Sequence, residues 1–195
     1  MSETQAKPGT AATTRRFYGK FRGTVIDNFD PQFMGRILAQ VSDVGLQISS
    51  WCMPCVPFAG PQSGVFVVPP VGAGVWIEFE QGDPDYPIWV GGFWGNPGDV
   101  PEVANFPPAI PPALPFPASD PAAGQNIVIQ TTGQNTLVVS DSVPTPLSGG
   151  IILQSAAGAS IIVNDAGIFI DNGQGATITL LGPSVDVNNG GLTVI

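Results

Sequence analysis

From Asn126 onward the chain carries apolar residues in pairs: Ile127 and Ile129, Leu137 and Val139, Ile151 and Leu153, Ile161 and Val163, Ile168 and Ile170, Ile178 and Leu180, Val185 and Val187, Leu192 and Val194. One residue separates the members of each pair, the period-two pattern of a strand with one face committed to a core. Gly, Asn, Asp, Ser and Gln fill the intervals, residues that turn a chain at little conformational cost. From Ile161 the pairs begin seven, ten, seven and seven residues apart. Such a repeat of one short strand and one turn predicts a stacked, quasi-one-dimensional solid. Strands this short bury little alone, and an open ladder leaves its edges unpaired. Phe169 is the only aromatic of the stretch. The pattern therefore predicts several identical chains wound about a common axis. Three would make a three-sided prism, one face per strand, filled by Ile, Leu and Val. At about 4.8 Å per strand, eight strands span on the order of 40 Å. The expected needle core is Ile151, Leu153, Ile161, Val163 and Ile168, continued by Ile170, Ile178, Leu180, Val185 and Val187. A monomeric β-sandwich or a one-chain solenoid competes, but the repeat is too short for one coil of the latter.

Ahead of this tail, alternation recurs in a longer stretch. Residues 17–26 and 35–42 read as strands joined by a turn-rich 27–34, residues 50–58 as a third strand and 59–64 as a loop. Residues 72–80 place Val75, Ile77 and Phe79 on one face; 81–87 form a turn rich in Gly and Pro, and 88–94 a closing strand. Five or six short antiparallel strands within about eighty residues predict a small closed barrel, with the OB fold the leading candidate. Between barrel and tail, residues 100–122 hold eight prolines. Neither helix nor central strand fits them, and a polyproline II spacer is expected. The resulting organisation is a flexible arm (1–14), a barrel (15–98), a Pro-rich linker (99–124) and a needle (125–195). Residues 143–147, with two further prolines, should loop out of the tail.

Composition agrees with an all-β class: 25 Gly and 21 Pro in 195 residues, with many β-branched side chains. Net charge is −9, and all six basic residues (Lys7, Arg15, Arg16, Lys20, Arg22, Arg36) lie within the first thirty-six positions. Phosphate neutralisation by Lys and Arg supplies most nucleic-acid affinity, so this charge distribution argues against nucleic acid as a partner. No apolar run could span a bilayer, and the start has no signal-peptide core, which predicts assembly in the cytoplasm. Cys52 and Cys55 form a C-x-x-C. A zinc site needs four ligands, and there is no His and no third Cys. A redox pair belongs at a helix start, whereas this segment reads as extended. Two small packed residues are the expected reading.

No catalytic residue, metal ligand or cofactor is assigned. Ser residues lack a base, and Glu78/Glu80 and Asp83/Asp85 do not specify two carboxylates facing each other across a cleft. A cell-wall hydrolase is thus the weaker alternative. A carbohydrate- or oligonucleotide-binding barrel is another, because Trp51, Trp76, Trp89, Phe93 and Trp94 could stack on sugars or bases.

Trp51, Pro57-Phe58-Ala59-Gly60, Gly64, Pro69-Pro70-Val71-Gly72, Val75-Trp76-Ile77-Glu78-Phe79-Glu80 and Gly82-Asp83-Pro84-Asp85-Tyr86-Pro87-Ile88-Trp89-Val90-Gly91-Gly92 together resemble the OB domain of the central spike family. That family includes the VgrG spikes of type VI secretion and the baseplate assembly protein V of contractile phage tails. Its motif falls here on Gly72, Phe79, Gly82, Asp83, Pro87 and Gly91. The resemblance implies an OB barrel followed by a trimeric, triple-stranded β-helix needle, on the threefold axis at the tip of a contractile tail. Sheath contraction would drive the needle through the target envelope, in transient contact with its membrane. The large hub domain found ahead of the barrel in VgrG chains is missing, which implies a separate hub protein; Arg15, Arg16, Lys20 and Arg22 could meet it. No lysozyme domain lies between barrel and needle, and the His-x-His iron site of some short spikes has no counterpart. The apolar Leu192, Val194 and Ile195 would form a platform for a separate PAAR-like tip protein.

Overall fold

The computed structural model describes residues 15–105, 126–141 and 149–194. The expected arm, most of the Pro-rich linker and the loop at 143–147 lie outside the described residues. The chain divides into two units, Met1–Gly95 and Asn96–Ile195.

In the first unit, alternation decides which side of each strand is buried. Strand β1 (Phe21–Asp27) turns Gly23 and Val25 inward. It pairs with the short β2 (Leu38–Gln40). Next come β3 (Met53–Pro54), a small hairpin of β4 (Ala59–Gly60) and β5 (Ser63–Gly64), then β6 (Gly74–Phe79) and β7 (Pro87–Phe93). On β6, Val75, Ile77 and Phe79 are buried and the residues between them are not, as their spacing predicts. The sheet order is β2-β1-β6-β7-β3, and an Ile37–Cys52 bridge joins the two ends. The sheet thus curls into a closed barrel of OB type. Its core is Val25, Ile37, Ala39, Val41, Cys52, Val75, Ile77, Phe79 and Trp89. The rings of Phe17 and Phe21 pack on Phe79, with centroids 6.0 and 5.6 Å away.

Three details differ from expectation. β3 runs parallel to β7, so the barrel is not wholly antiparallel. Residues 59–64 form a hairpin rather than a plain loop. Past the barrel, Glu102–Asn105 make one helical turn inside the stretch expected to hold no helix. None of the four is proline. Pro101 precedes them, with φ already set for a helix start, and its carbonyl accepts the Ala104 N–H at 2.9 Å.

The tail is one sheet of eight strands in sequence order: β8 (Ile127–Gln130), β9 (Thr136–Ser140), β10 (Gly150–Gln154), β11 (Ser160–Asn164), β12 (Gly167–Asp171), β13 (Thr177–Leu181), β14 (Ser184–Val187) and β15 (Leu192–Val194). All neighbours pair antiparallel. Polar turn residues close the hairpins. Asn172 accepts the backbone N–H groups of Gln174 and Ala176, and Asn164 those of Ala166 and Gly167. The placement of one prism face per strand is corrected here. Consecutive strands are hydrogen-bonded neighbours, so a single chain supplies one continuous sheet rather than stepping from face to face.

Candidate functional site

Strand pairing turns the apolar pairs of the tail into two unbroken columns on one face. In register, Ile127, Val139, Ile151, Val163, Ile168, Leu180 and Val185 follow one another across the sheet, and Val185 is paired with Val194. Beside them run Ile129, Leu137, Leu153, Ile161, Ile170, Ile178, Val187 and Leu192. The ten residues expected in the needle core all belong to these columns.

In the single chain this face is open. Ile127 is 66 % exposed, Leu192 is 59 %, and Ile151, Leu153, Ile161, Val163, Ile168, Ile170 and Ile178 lie between 37 and 47 %. Leu180, Val185 and Val187 are half-buried. Burying the exposed half of one such side chain stabilises by about 1 kcal/mol. The strip is on the order of 40 Å long, and a lone soluble chain rarely leaves so much contiguous apolar surface in water.

The opposite face behaves differently. The residue between the members of each pair is Val128, Val138, Ile152, Ile162 and Phe169 in β8 to β12, then Thr179, Asp186 and Thr193. Val138, Ile152 and Ile162 are buried to 3 % exposure or less, with Val128 and Phe169 packed against them. This column is satisfied within one chain, whereas the paired columns are not. The sequence pattern treats these residues as spacers; their signal is that five consecutive spacers are themselves large and apolar.

At the end of the sheet, Leu192 is exposed on β15, an edge strand. Ile195 falls outside the described residues. Tip and core positions thus share one surface, and Leu192 and Val194 end the two columns in register with Val187 and Val185.

In the barrel, the turn motif clamps the segment that precedes β1. Asp83 receives the Asp85 N–H on Oδ1 at 3.1 Å and the Arg16 guanidinium on Oδ2 at 2.9 Å, while the Gly82 carbonyl accepts the Phe17 N–H at 2.8 Å. Gly82 has φ +76°, and a Cβ there would lie 2.9 Å from the Tyr18 ring. Only glycine allows both the turn and that approach. Gly72 donates its N–H to the Val25 carbonyl at 2.9 Å, Phe79 and Pro87 are buried, and Gly91 opposes Trp76 beside an irregularity in the β6–β7 register.

The four cations expected to meet a hub all have partners inside the barrel. Arg15 lies over the Phe17 ring, Arg16 pairs with Asp83, Lys20 with Glu78, and Arg22 stacks on Trp76 and Phe93. Of the aromatics considered for stacking on ligands, Trp76 and Phe93 pack on each other with centroids 4.9 Å apart. Trp89 is buried and donates its indole N–H to the Gly35 carbonyl at 3.1 Å. Trp51 is capped by Arg36, and Trp94 stands exposed. Of the cysteines, Cys52 is buried against Ser49, and burial pushes its thiol pKa up. Cys55 is exposed rather than packed, because a residue three positions along a strand faces the other way. Among the described residues no three His, Cys, Asp or Glu side chains are grouped as a metal site needs. No helix among them is long and apolar enough to cross a membrane.

Comparison with known families accounts for both units. Residues 21–94 match the type VI secretion system/phage-baseplate injector OB domain, and residues 126–193 match the phage baseplate V C-terminal trimerisation domain. Together the two matches cover well over half of the chain. No curated protein matches it.

Proposed function

Because this chain belongs to the central spike family of contractile injection systems, whose members are homotrimeric structural components of the baseplate, we propose that its aliphatic tail face is the surface that makes it a needle. Three copies bring their paired columns together, with Ile151, Leu153, Ile161, Val163, Ile168, Ile170, Ile178, Leu180, Val185 and Val187 as the dry interior. The observation that carries this reading is the face itself, two in-register aliphatic columns left half exposed by one chain. Once closed, such a rod resists bending, because a local deformation must break ladder bonds and apolar contacts together. That property suits a part driven through a cell envelope by sheath contraction, and the role is mechanical rather than enzymatic.

The partners follow from the same geometry. A PAAR-like tip protein covers Leu192, Val194 and Ile195, where the columns end on an edge strand. A separate hub protein receives the barrel, with assembly in the cytoplasm before the particle is complete. Of the basic cluster, Arg16 and Lys20 are already paired with carboxylates, while Arg15 and Arg22, stacked on rings, keep their charge for such a hub.

The test is made in the particle. Tails from cells that supply only the Ile161→Asp chain should release no dye from target cells, while tails with the unaltered chain release it. Equal release by both would refute the needle reading.

A further inference from the structure

The two ends of the Pro-rich stretch lie together. In the single helical turn α1 (Glu102–Asn105), the Ala104 carbonyl accepts the side-chain N–H of Asn126 at 3.3 Å. Asn126 stands immediately before β8, and its side-chain oxygen accepts the Ser140 hydroxyl of β9. A spacer holds its ends apart, whereas here one hydrogen bond joins them. The twenty residues 106–125 therefore start and finish beside the same strand, β8.

That strand is the end of the sheet and has β9 as its one neighbour. Its members of the two aliphatic columns, Ile127 and Ile129, are 66 and 62 % exposed, more than any of the ten expected core residues, which begin at Ile151. The β8 end of the columns is thus the most open part of the face that other copies close from the side. Leu192 marks the opposite end, where a tip protein is expected.

We propose that residues 106–125 fold back over the β8 end of their own chain and cover Ile127 and Ile129, sealing that end of the needle interior. The inference rests on the needle reading and adds a second closure to it. Phe106, Ile110, Leu114 and Phe116 supply the apolar surface, and Asp120 is the one charged residue of the segment. Chains that stay in water as linkers are low in hydrophobicity and rich in charge, the opposite of this composition. Seven prolines suit the task as well. Proline has no N–H to donate to a ladder, so the segment can lie across an open strand without adding to the sheet. Its fixed φ also leaves less conformational freedom to lose on docking. Ten residues out and ten back reach about 30 Å at about 3.1 Å per residue, ample to cross one strand. Tethered at both ends beside β8, the segment is present at high effective concentration before any separate protein arrives.

Ile129→Cys, made in a full chain that also carries Cys55→Ser, puts a thiol under the cover, and the native Cys52 is buried. Ellman's reagent should modify that thiol slowly. Phe106→Ser, Ile110→Ser, Leu114→Ser and Phe116→Ser together should speed the reaction several-fold, with the mass by light scattering remaining that of a trimer. Equal rates in two trimeric proteins overturn the cover and leave the needle standing; if both rates are slow, other copies hold this end as well. A monomer in both cases overturns the needle reading and the cover with it. Protection that appears only when a hub protein is added gives the end to the hub, and the proposal fails.

Discussion

Barrel and tail are made of similar residues but complete their cores in different ways. In the barrel, a bridge from Ile37 to Cys52 closes the sheet on itself, and nine apolar residues are buried. In the tail, eight strands lie in an open row, and among the described residues the buried apolar side chains are Val138, Ile152 and Ile162. The barrel uses one face of each strand and finds the facing residues within the same chain. The tail has apolar residues on both faces of its first five strands, satisfies the single column internally, and leaves the double column for other copies. Closure in one case is a property of the chain, in the other a property of the assembly.

The sharpest way to break that contrast is a charge on the open face. Ile161→Asp places three carboxylates in what becomes the dry interior, and each buried unpaired ion costs several kcal/mol. Loss of the trimer is expected by sedimentation, while the tryptophan fluorescence of the barrel, which holds all four Trp residues, stays native. The converse change is Ile77→Ala. A buried Ile truncated to Ala costs about 2–5 kcal/mol, so the fluorescence-monitored unfolding midpoint should fall while the tail remains trimeric.

A smaller effect is expected at Asp30. Its carboxyl is held well below the ordinary value of 3.8, chiefly by the Arg36 guanidinium, against the opposing effect of burial and with help from backbone N–H groups. A folded-state value below the unfolded one stabilises above the unfolded value, and the benefit is lost as pH falls towards the folded one. Asp30→Asn should therefore lower the barrel's midpoint most at neutral pH, with the difference narrowing below about pH 4. A constant gap from neutral to acid would remove Asp30 as the source. Least of all, Arg16→Ala should lower the barrel's stability by no more than about 1 kcal/mol, since exposed ion pairs contribute little. A larger loss would mean that the clamp on Asp83 holds more of the barrel than its exposure suggests.

Period-two spacing is a local property, and for that reason Ile151, Leu153, Ile161 and the rest of the double column were legible in the sequence. So were Val75, Ile77 and Phe79 on one face of β6, and the turn at Gly82-Asp83. Pairing between distant segments was not. Nothing local announces that β3 lies parallel to β7, that Arg16 reaches Asp83, or that Lys20 reaches Glu78. The buried column of the tail was obscured for another reason. Val128, Val138, Ile152, Ile162 and Phe169 occupy the positions between the pairs, and a pattern of pairs assigns them to the wet side. Three large apolar residues in a row mean a strand covered on both faces, and that signal was present. The register that makes one chain a whole sheet depends on turn lengths such as those around Asn164 and Asn172, which spacing alone does not fix.

The most direct measurement is sedimentation of the full chain over a dilution series at neutral pH and moderate salt. The account predicts one species at three times the mass of the chain, persisting as concentration falls, because the tail's open face has no other way to leave water. A well-folded monomer with an ordered tail at every concentration would contradict it.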